Sequence, residues 1–150
     1  MAEHAYGFAK ISPTANSKAV GRSLPVSTKS AVELCRMIKH KPVERVLIML
    51  DSIVNQDLAV PHMRYKKGGI GHRPGIGPGR YPGKTAIYVK RIIESAASNA
   101  EQKGLNKSGL IVEHIAAHKA AKARHYGRSR TLMKRTTIEV VLGEKAAVKK

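Results

Sequence analysis

The stretch that decides the fold runs from residue 110 to residue 142 and has three parts: LIVEHI (110–115), AAHKAAKARHYGRSRTLMKR (116–135) and TTIEVVL (136–142). The outer parts are rich in β-branched residues, which predicts two strands. The second part places Ile138, Val140 and Leu142 at alternate positions, as in a strand with one buried face. The middle part is basic, has no acidic residue and has almost no large apolar side chain, so it cannot pack on a core.

These features predict a long β-hairpin. If both arms continue as strands to a turn near Tyr126-Gly127, each arm has about 15 residues and spans roughly 50 Å. A domain of this size is only ~30 Å across, so the hairpin would protrude, and only an oppositely charged partner would order its outer half. A disordered basic loop between two core strands is the alternative. The matched arms and the central Gly127, which suits a turn, favour the hairpin.

The charge of the chain indicates a polyanionic partner. The formal net charge is +18 at pH 7 and the pI is about 10.4. Nucleic acid is the first candidate for the partner and an anionic membrane surface the second. No apolar run approaches the ~18 residues of a membrane span. Six of the ten acids, Glu33 among them, lie in or beside predicted helices and indicate a solvated helical face.

Periodicity predicts one strand and three helices before the hairpin. The strand falls within residues 15–24. The first helix runs from Ser27 or Thr28 to about His40, and the second begins with Pro42 at its first position. The longest helix runs from Pro82 or Gly83 to about Lys103. The buried stripe of the second helix is predicted to be Val43, Val46, Leu47, Leu50 and Val54, and that of the third Ala86, Val89, Ile93, Ala96, Ala97 and Ala100.

A glycine-rich passage, MRYKKGGIGHRPGIGPGRYPG (63–83), separates the second and third helices. It cannot form a core element, and a disordered linker is one interpretation. However, tyrosine, histidine and arginine side chains alternate with its glycines. Because glycine lets the backbone approach phosphates and planar side chains stack on bases, we favour a loop that RNA orders.

The catalytic and metal motifs are incomplete. Gly-Lys-Thr at 83–85 resembles the end of a phosphate-binding P-loop, but Pro78 stands where that motif needs glycine. Lys84 is still placed to hold an RNA phosphate. His114 and His118 have the spacing of helical zinc ligands but lack the intervening glutamate, so no metal site is expected. The single cysteine, Cys35, excludes an intramolecular disulfide. It is expected to be buried because it lies in the apolar stripe of the first predicted helix, with Ala31, Leu34 and Ile38.

The residues resemble the family of the twenty-second protein of the large ribosomal subunit, the exit-tunnel hairpin protein, over about residues 11–144. The most specific part is 115–130 followed by 134–142, where basic residues surround a Gly-Arg and precede Lys-Arg and an Ile-x-Val strand. The Ala-rich stretch 94–101 is similar to the family's long helix. The insertion at 64–83, and the lack of a long basic C-terminal extension, resemble the archaeal type.

The resemblance implies an α+β fold, with three helices packed on a small antiparallel sheet and a long protruding β-hairpin (110–142), in one domain covering 1–150. It implies a structural role in the large ribosomal subunit, where the protein binds ribosomal RNA, supports assembly and lines the nascent-peptide tunnel. The implied partners are that RNA, neighbouring ribosomal proteins and the nascent polypeptide. No cofactor, membrane span or homo-oligomer is expected, and the expected compartment is the cytoplasm.

The candidate RNA-binding residues are the cations and planar side chains of the basic segments: Lys10, Lys18, Arg22, Arg64, Tyr65, Lys66, Lys67, His72, Arg73, Arg80, Tyr81, Lys84, His118, Lys119, Lys122, Arg124, His125, Tyr126, Arg128, Arg130, Lys134 and Arg135. The predicted tunnel tip consists of Arg124, His125, Tyr126, Gly127, Arg128, Ser129 and Arg130. One alternative is a general nucleic-acid-binding or DNA-compacting protein, which would bind duplex DNA as well as RNA. Another is a nuclease, for which Glu113 and Glu139, opposed across the hairpin, are the pair to test.

Overall fold

Three helices and two small antiparallel sheets make up the computed structural model, which describes residues 5–8, 12, 14–66, 69–128 and 130–144. The helices are α1 (Thr28–Ile38), α2 (Val43–Val54) and α3 (Gly83–Gln102), with a short 3-10 turn at Lys107–Gly109. The strands are β1 (Asn16–Leu24), β2 (Val60–Pro61), β3 (His72–Arg73), β4 (Gly77–Arg80), β5 (Leu110–Lys119) and β6 (Thr136–Glu144). The predicted α+β class is confirmed.

The main sheet has the strand order β1-β6-β5, so the last of these strands lies in the middle. Val140 pairs with Ala19 on one side and with Ile115 on the other. We expected β6 to bury one face only. Instead, every residue of β6 except Thr137 and Glu144 is buried, including Glu139. Glu139 on the second face is covered by the segment around Gly7, whose amide donates to Glu139 Oε1 over 3.1 Å, and by His114 and His118.

The three helices bury the apolar stripes that periodicity predicts, with one shift. All six predicted residues of α3 are buried, and Ile92 joins them. In α2 the predicted Val43, Val46 and Leu50 are buried together with Ile53, whereas the predicted Leu47 and Val54 are only partly buried. A Cβ on Gly21 of β1 would lie 2.5 Å from Ile92 Cδ1. The absence of a side chain at this position therefore lets α3 lie directly against the main sheet.

The hairpin is present, but its regular strands are shorter than expected. The arms β5 and β6 contain 10 and 9 residues and pair from Leu110 and Glu144 to Lys119 and Thr136. The arms stay together beyond that point, because the Met133 amide donates to the Ala123 carbonyl and the His125 amide to the Thr131 carbonyl, each over 2.8 Å. Gly127 has φ 88° and lies in the turn. The outer hairpin is irregular because β1 ends beside Thr136 and offers it no third strand.

The glycine-rich passage forms a second sheet rather than the loop we expected. Its order is β2-β4-β3, with β4 between two strands of two residues each. Gly75 and Gly77 have φ of 72° and 77°, and these values permit the tight turn between β3 and β4. The exposed residues of this sheet are His72, Arg73 and Arg80, whereas Val60 of β2 is fully buried and belongs to the hydrophobic core.

Candidate nucleic-acid interface

A buried carboxylate holds the start of the glycine-rich insertion. Glu33 lies on the inner face of α1 and is 1% exposed. Its Oε1 accepts hydrogen bonds from the backbone amides of Arg64 and Tyr65, both over 2.8 Å. Burial raises the pKa of Glu33, but the amides of Tyr65, Arg64 and Met63 and the nearby His62 outweigh it and hold the pKa below its ordinary value. We therefore expect the carboxylate to be ionised at neutral pH.

The assignment of Glu33 to a solvated helical face is wrong. In the sequence, Glu33 cannot be distinguished from any other acidic residue of a helix. Only the fold shows that the insertion passes over Glu33, because the Arg64 and Tyr65 amides that donate to it are 31 and 32 positions away in the sequence.

The insertion carries cations stacked on tyrosines. Arg64 Cζ lies 5.5 Å from the centre of the Tyr65 ring, and Lys29 Nζ of α1 lies 5.8 Å from the same centre. Arg73 Cζ of β3 lies 5.2 Å from the centre of the Tyr81 ring. These distances are within the range of cation–π attraction. The pairs bring positive charge against an aromatic ring, and proteins bind phosphates and unstacked bases with groups of these two kinds.

Three adjoining cavities connect the insertion with the hairpin, and we call them together the basic groove. The first, of about 360 Å³, is lined by Ser27, Lys29, Ser30, His62, Arg64, Tyr65, Ile70 and Arg80. The second, of about 340 Å³, is lined by Pro25, Val26, Ser27, Ser30, Tyr81, Pro82, Gly83, Lys84, Thr85 and Lys134. The third, of about 410 Å³, is lined by Pro25, Lys84, His125, Thr131, Leu132, Met133, Lys134 and Arg135.

The three cavities of the basic groove adjoin one another, since neighbouring cavities share lining residues. The first two share Ser27 and Ser30, and the second and third share Pro25, Lys84 and Lys134. Its Lys and Arg residues are Lys29, Arg64, Arg80, Lys84, Lys134 and Arg135, and none of the residues that line the three cavities is acidic. Such a concave surface with charge of one sign attracts polyanions.

The two helices that border the groove, α1 and α3, lack the acidic residues that usually stabilise the first turn of a helix. Their first turns contain no acid, and instead Lys29 lies in the first turn of α1 and Lys84 in that of α3. Cations there are disfavoured by the helix dipole, which stabilises anions at this end. The pattern suits an anion brought by a partner. A lysine in the first turn of a helix is therefore a signal in the sequence that identifies Lys29, which is not among our predicted residues.

The tip of the hairpin forms a further open concavity of about 780 Å³, which shares His125 with the third cavity of the basic groove. It is lined by Arg124, His125, Tyr126, Gly127, Arg128 and Arg130. Tyr126 is 98% exposed, so no described part of the chain covers its ring. Six of the seven predicted tip residues lie together here, and the seventh, Ser129, is outside the described residues.

Other predicted RNA-binding residues lie away from the groove. Arg22, His118 and Lys119 line a different cavity, which also contains Glu139. His118 Nε2 is 3.2 Å from Glu139 Oε1, and His114 Nε2 is 3.0 Å from the same oxygen. Lys18 Nζ is 5.3 Å from the centre of the Tyr6 ring.

The remaining predicted residues are either exposed or outside the described part. The exposed ones are Lys66, His72 and Lys122. Lys10 and Lys67 are outside the described residues.

The acid pair considered for a nuclease does not exist. A bulge at Glu113 shifts the register, and its carboxylate accepts a hydrogen bond from Asn16 Nδ2 beside Gly143. Glu139 instead pairs in register with Ala116 and faces the two histidines. Within the described residues, no group of three or more His, Cys, Asp or Glu is arranged to hold a metal ion. None of the described helices has the length and apolar character needed to cross a membrane.

Comparison with known proteins gives a consistent result. Residues 19–143 match the family described as ribosomal protein L22p/L17e. A relative from Methanopyrus kandleri is 39% identical over 139 residues, covering 86% of this chain and 87% of the relative. One from Archaeoglobus fulgidus is 35% identical over 150 residues, covering 94% and 96%, and one from Thermoplasma acidophilum is 38% identical over 111 residues, covering 74% and 73%.

All three relatives are named large ribosomal subunit protein uL22, and all are archaeal. The match covers every helix and strand described above apart from the first residues of β1 and the last residue of β6. The chain therefore belongs to the ribosomal protein L22p/L17e family and is of the archaeal type.

Proposed function

We propose that the chain binds large-subunit ribosomal RNA through the basic groove and the hairpin, and that the hairpin tip lines the tunnel for the nascent polypeptide. The coarser role follows from the family: the protein is a structural component of the large subunit of cytoplasmic ribosomes, not an enzyme. The observation that carries the finer proposal is the acid-free groove that joins the insertion to the hairpin.

The groove explains why the two basic segments occur in one chain. Lys84 of α3 and Lys134 of the hairpin line the same two cavities, although they are far apart in the sequence. A polyanion lying in the groove would touch both segments at once and would release counterions along its whole length. The chain would thus act as one RNA-binding unit that supports assembly of the subunit.

Salt dependence tests the role of the groove. We expect deproteinised large-subunit RNA to bind the wild-type chain with an affinity that falls steeply with salt. The double variant Lys84→Met, Lys134→Met should reduce the log–log slope by about 1.4 to 1.8, that is ~0.7 to 0.9 for each phosphate that is no longer neutralised. The matched control is Lys90→Met, because Lys90 of α3 pairs with Asp51 over 2.6 Å and does not line the groove.

Two results would contradict RNA binding through the groove. One is the same loss of slope in the control as in the double variant. The other is equal displacement of the RNA by duplex DNA, which would favour a general nucleic-acid-binding protein.

Photocrosslinking tests the tunnel role. A photoreactive phenylalanine derivative in place of Tyr126 should crosslink to the nascent polypeptide in translating ribosomes. The same group in place of Ile48, which is 68% exposed on α2, should not. If position 126 crosslinks only to RNA, the tip does not line the tunnel.

A further inference from the structure

We propose that the first cavity of the basic groove is a pocket for a single unstacked nucleotide, whose base stacks on Tyr65 and whose phosphate is held by Lys29, Arg64 and Arg80. This inference rests on the proposed RNA-binding function and adds a specific ligand to one end of the groove. We call this cavity the insertion pocket.

The size of the insertion pocket suits one nucleotide. Its volume of about 360 Å³ lies at the lower end of the range for small-molecule sites, which is about 300 to 1,000 Å³. A duplex is too wide to enter it and could touch only its rim. A nucleotide turned out of its strand could enter it, as in RNA recognition by splayed bases.

The lining supplies the two kinds of contact that a nucleotide needs. Lys29, Arg64 and Arg80 provide positive charge, and Ser27 and Ser30 provide hydroxyl groups. Tyr65 and Ile70 provide a flat aromatic surface and an apolar contact. Arg64 Cζ and Lys29 Nζ lie over the ring of Tyr65, 5.5 and 5.8 Å from its centre. A base that stacks on the ring therefore takes the place of one of these cations, and the displaced cation then meets the phosphate of the same nucleotide.

The backbone of the pocket is held in place before any ligand arrives. Glu33 fixes the backbone of Arg64 and Tyr65 through two hydrogen bonds of 2.8 Å. His62, at its base, is buried, and its Nδ1 lies 3.1 Å from the Val60 carbonyl oxygen. On the opposite wall, α1 holds Lys29 and Ser30. A site whose parts are already fixed loses less conformational entropy when it binds.

Two measurements on the full chain with large-subunit RNA test the proposal. First, the complex is irradiated with short-wavelength ultraviolet light, which activates all four bases, and the crosslinked peptides are mapped. We expect a crosslink at Tyr65 to a nucleotide that is unpaired in the RNA. Crosslinks confined to the hairpin would overturn the pocket while leaving the proposed function intact.

Second, the affinity and the salt slope are measured for three variants. Tyr65→Leu should weaken binding roughly 5- to 150-fold, as expected for one stacked base, without changing the salt slope. Tyr65→Phe keeps the ring and should restore most of the affinity. Lys29→Met should instead lower the slope by about 0.7 to 0.9.

The outcomes separate the two proposals. If the wild-type chain fails to bind the RNA with strong salt dependence, the proposed function fails. If the wild type binds but Tyr65→Leu binds equally well, and only Lys29→Met is weakened, then the cavity holds a phosphate without its base and the insertion pocket is refuted.

Discussion

Replacing Glu33 by glutamine should loosen the insertion by about 2 kcal/mol. Hydrogen bonds to a charged group contribute about 1.5 to 3 kcal/mol each, and bonds between neutral groups about 0.5 to 1.5. Glu33→Gln keeps an oxygen for the Arg64 and Tyr65 amides but removes the charge, so each of the two bonds loses about 1 kcal/mol. Oε2 is buried and has no hydrogen-bond partner among the described residues, so the new amide nitrogen has no bond to gain there.

Amide hydrogen exchange followed by NMR measures this loss directly. A change of about 2 kcal/mol corresponds to roughly 30-fold faster exchange, at 1.36 kcal/mol per factor of ten. We expect this acceleration at the amides of Arg64 and Tyr65, and a lower urea midpoint. The control is Glu94→Gln, which removes the same charge from an exposed position on α3.

The effect should depend on pH in a defined direction. The pKa of Glu33 lies below its ordinary value of 4.5 in the folded chain, so the stabilisation is complete above the ordinary value and is lost as the pH falls through the lowered pKa. The difference between wild type and Glu33→Gln should therefore be largest near pH 7 and shrink in acid. Equal exchange of the Arg64 and Tyr65 amides in both proteins at pH 7 would refute the role of this carboxylate.

Two substitutions and one labelling experiment test the core. Gly143→Ala should cost about 1 to 3 kcal/mol in thermal unfolding, because its Cβ would lie 2.8 Å from both Asn16 Nδ2 and Glu113 Cδ; an unchanged melting temperature would contradict this. Ile93→Ala should cost about 2 to 5 kcal/mol in urea unfolding, since Ile93 is fully buried, and a loss below 1 kcal/mol would show that the site collapses. Burial raises the pKa of the Cys35 thiol to about 12, so thiol reagents at pH 8 should label it only after unfolding, and prompt labelling of the native protein would count against its burial.

The sequence predicts those features that depend on local patterns. The helices α1 and α3 were found within one or two residues, because their apolar residues recur with the helical period over several turns. The burial of Cys35 followed from its place in such a stripe. The arms of the hairpin were found because β-branched residues mark both of them and Gly127 marks the turn.

The sequence does not predict those features that depend on which segments meet. Nothing near Glu33 in the chain indicates that the insertion will pass over it. The groove is not predictable for the same reason, because Lys29 belongs to a helix and Lys134 to the hairpin. The short strands β3 and β4 were missed because their residues, glycine and proline above all, have low strand propensity and pair only where turns at Gly75 and Gly77 bring them together.

Because β6 is both the central strand and the last strand of the described chain, the main sheet cannot assemble until the ribosome has made residue 144. Ser23 and Thr137, which are bonded across β1 and β6, are 114 positions apart. At about 5 to 20 residues per second, β1 would wait roughly 6 to 23 s for its partner. The Glu33 contacts span only 31 and 32 positions, so the insertion end of the groove can form while the protein is still being made. The hairpin end can form only after β6 has left the ribosome.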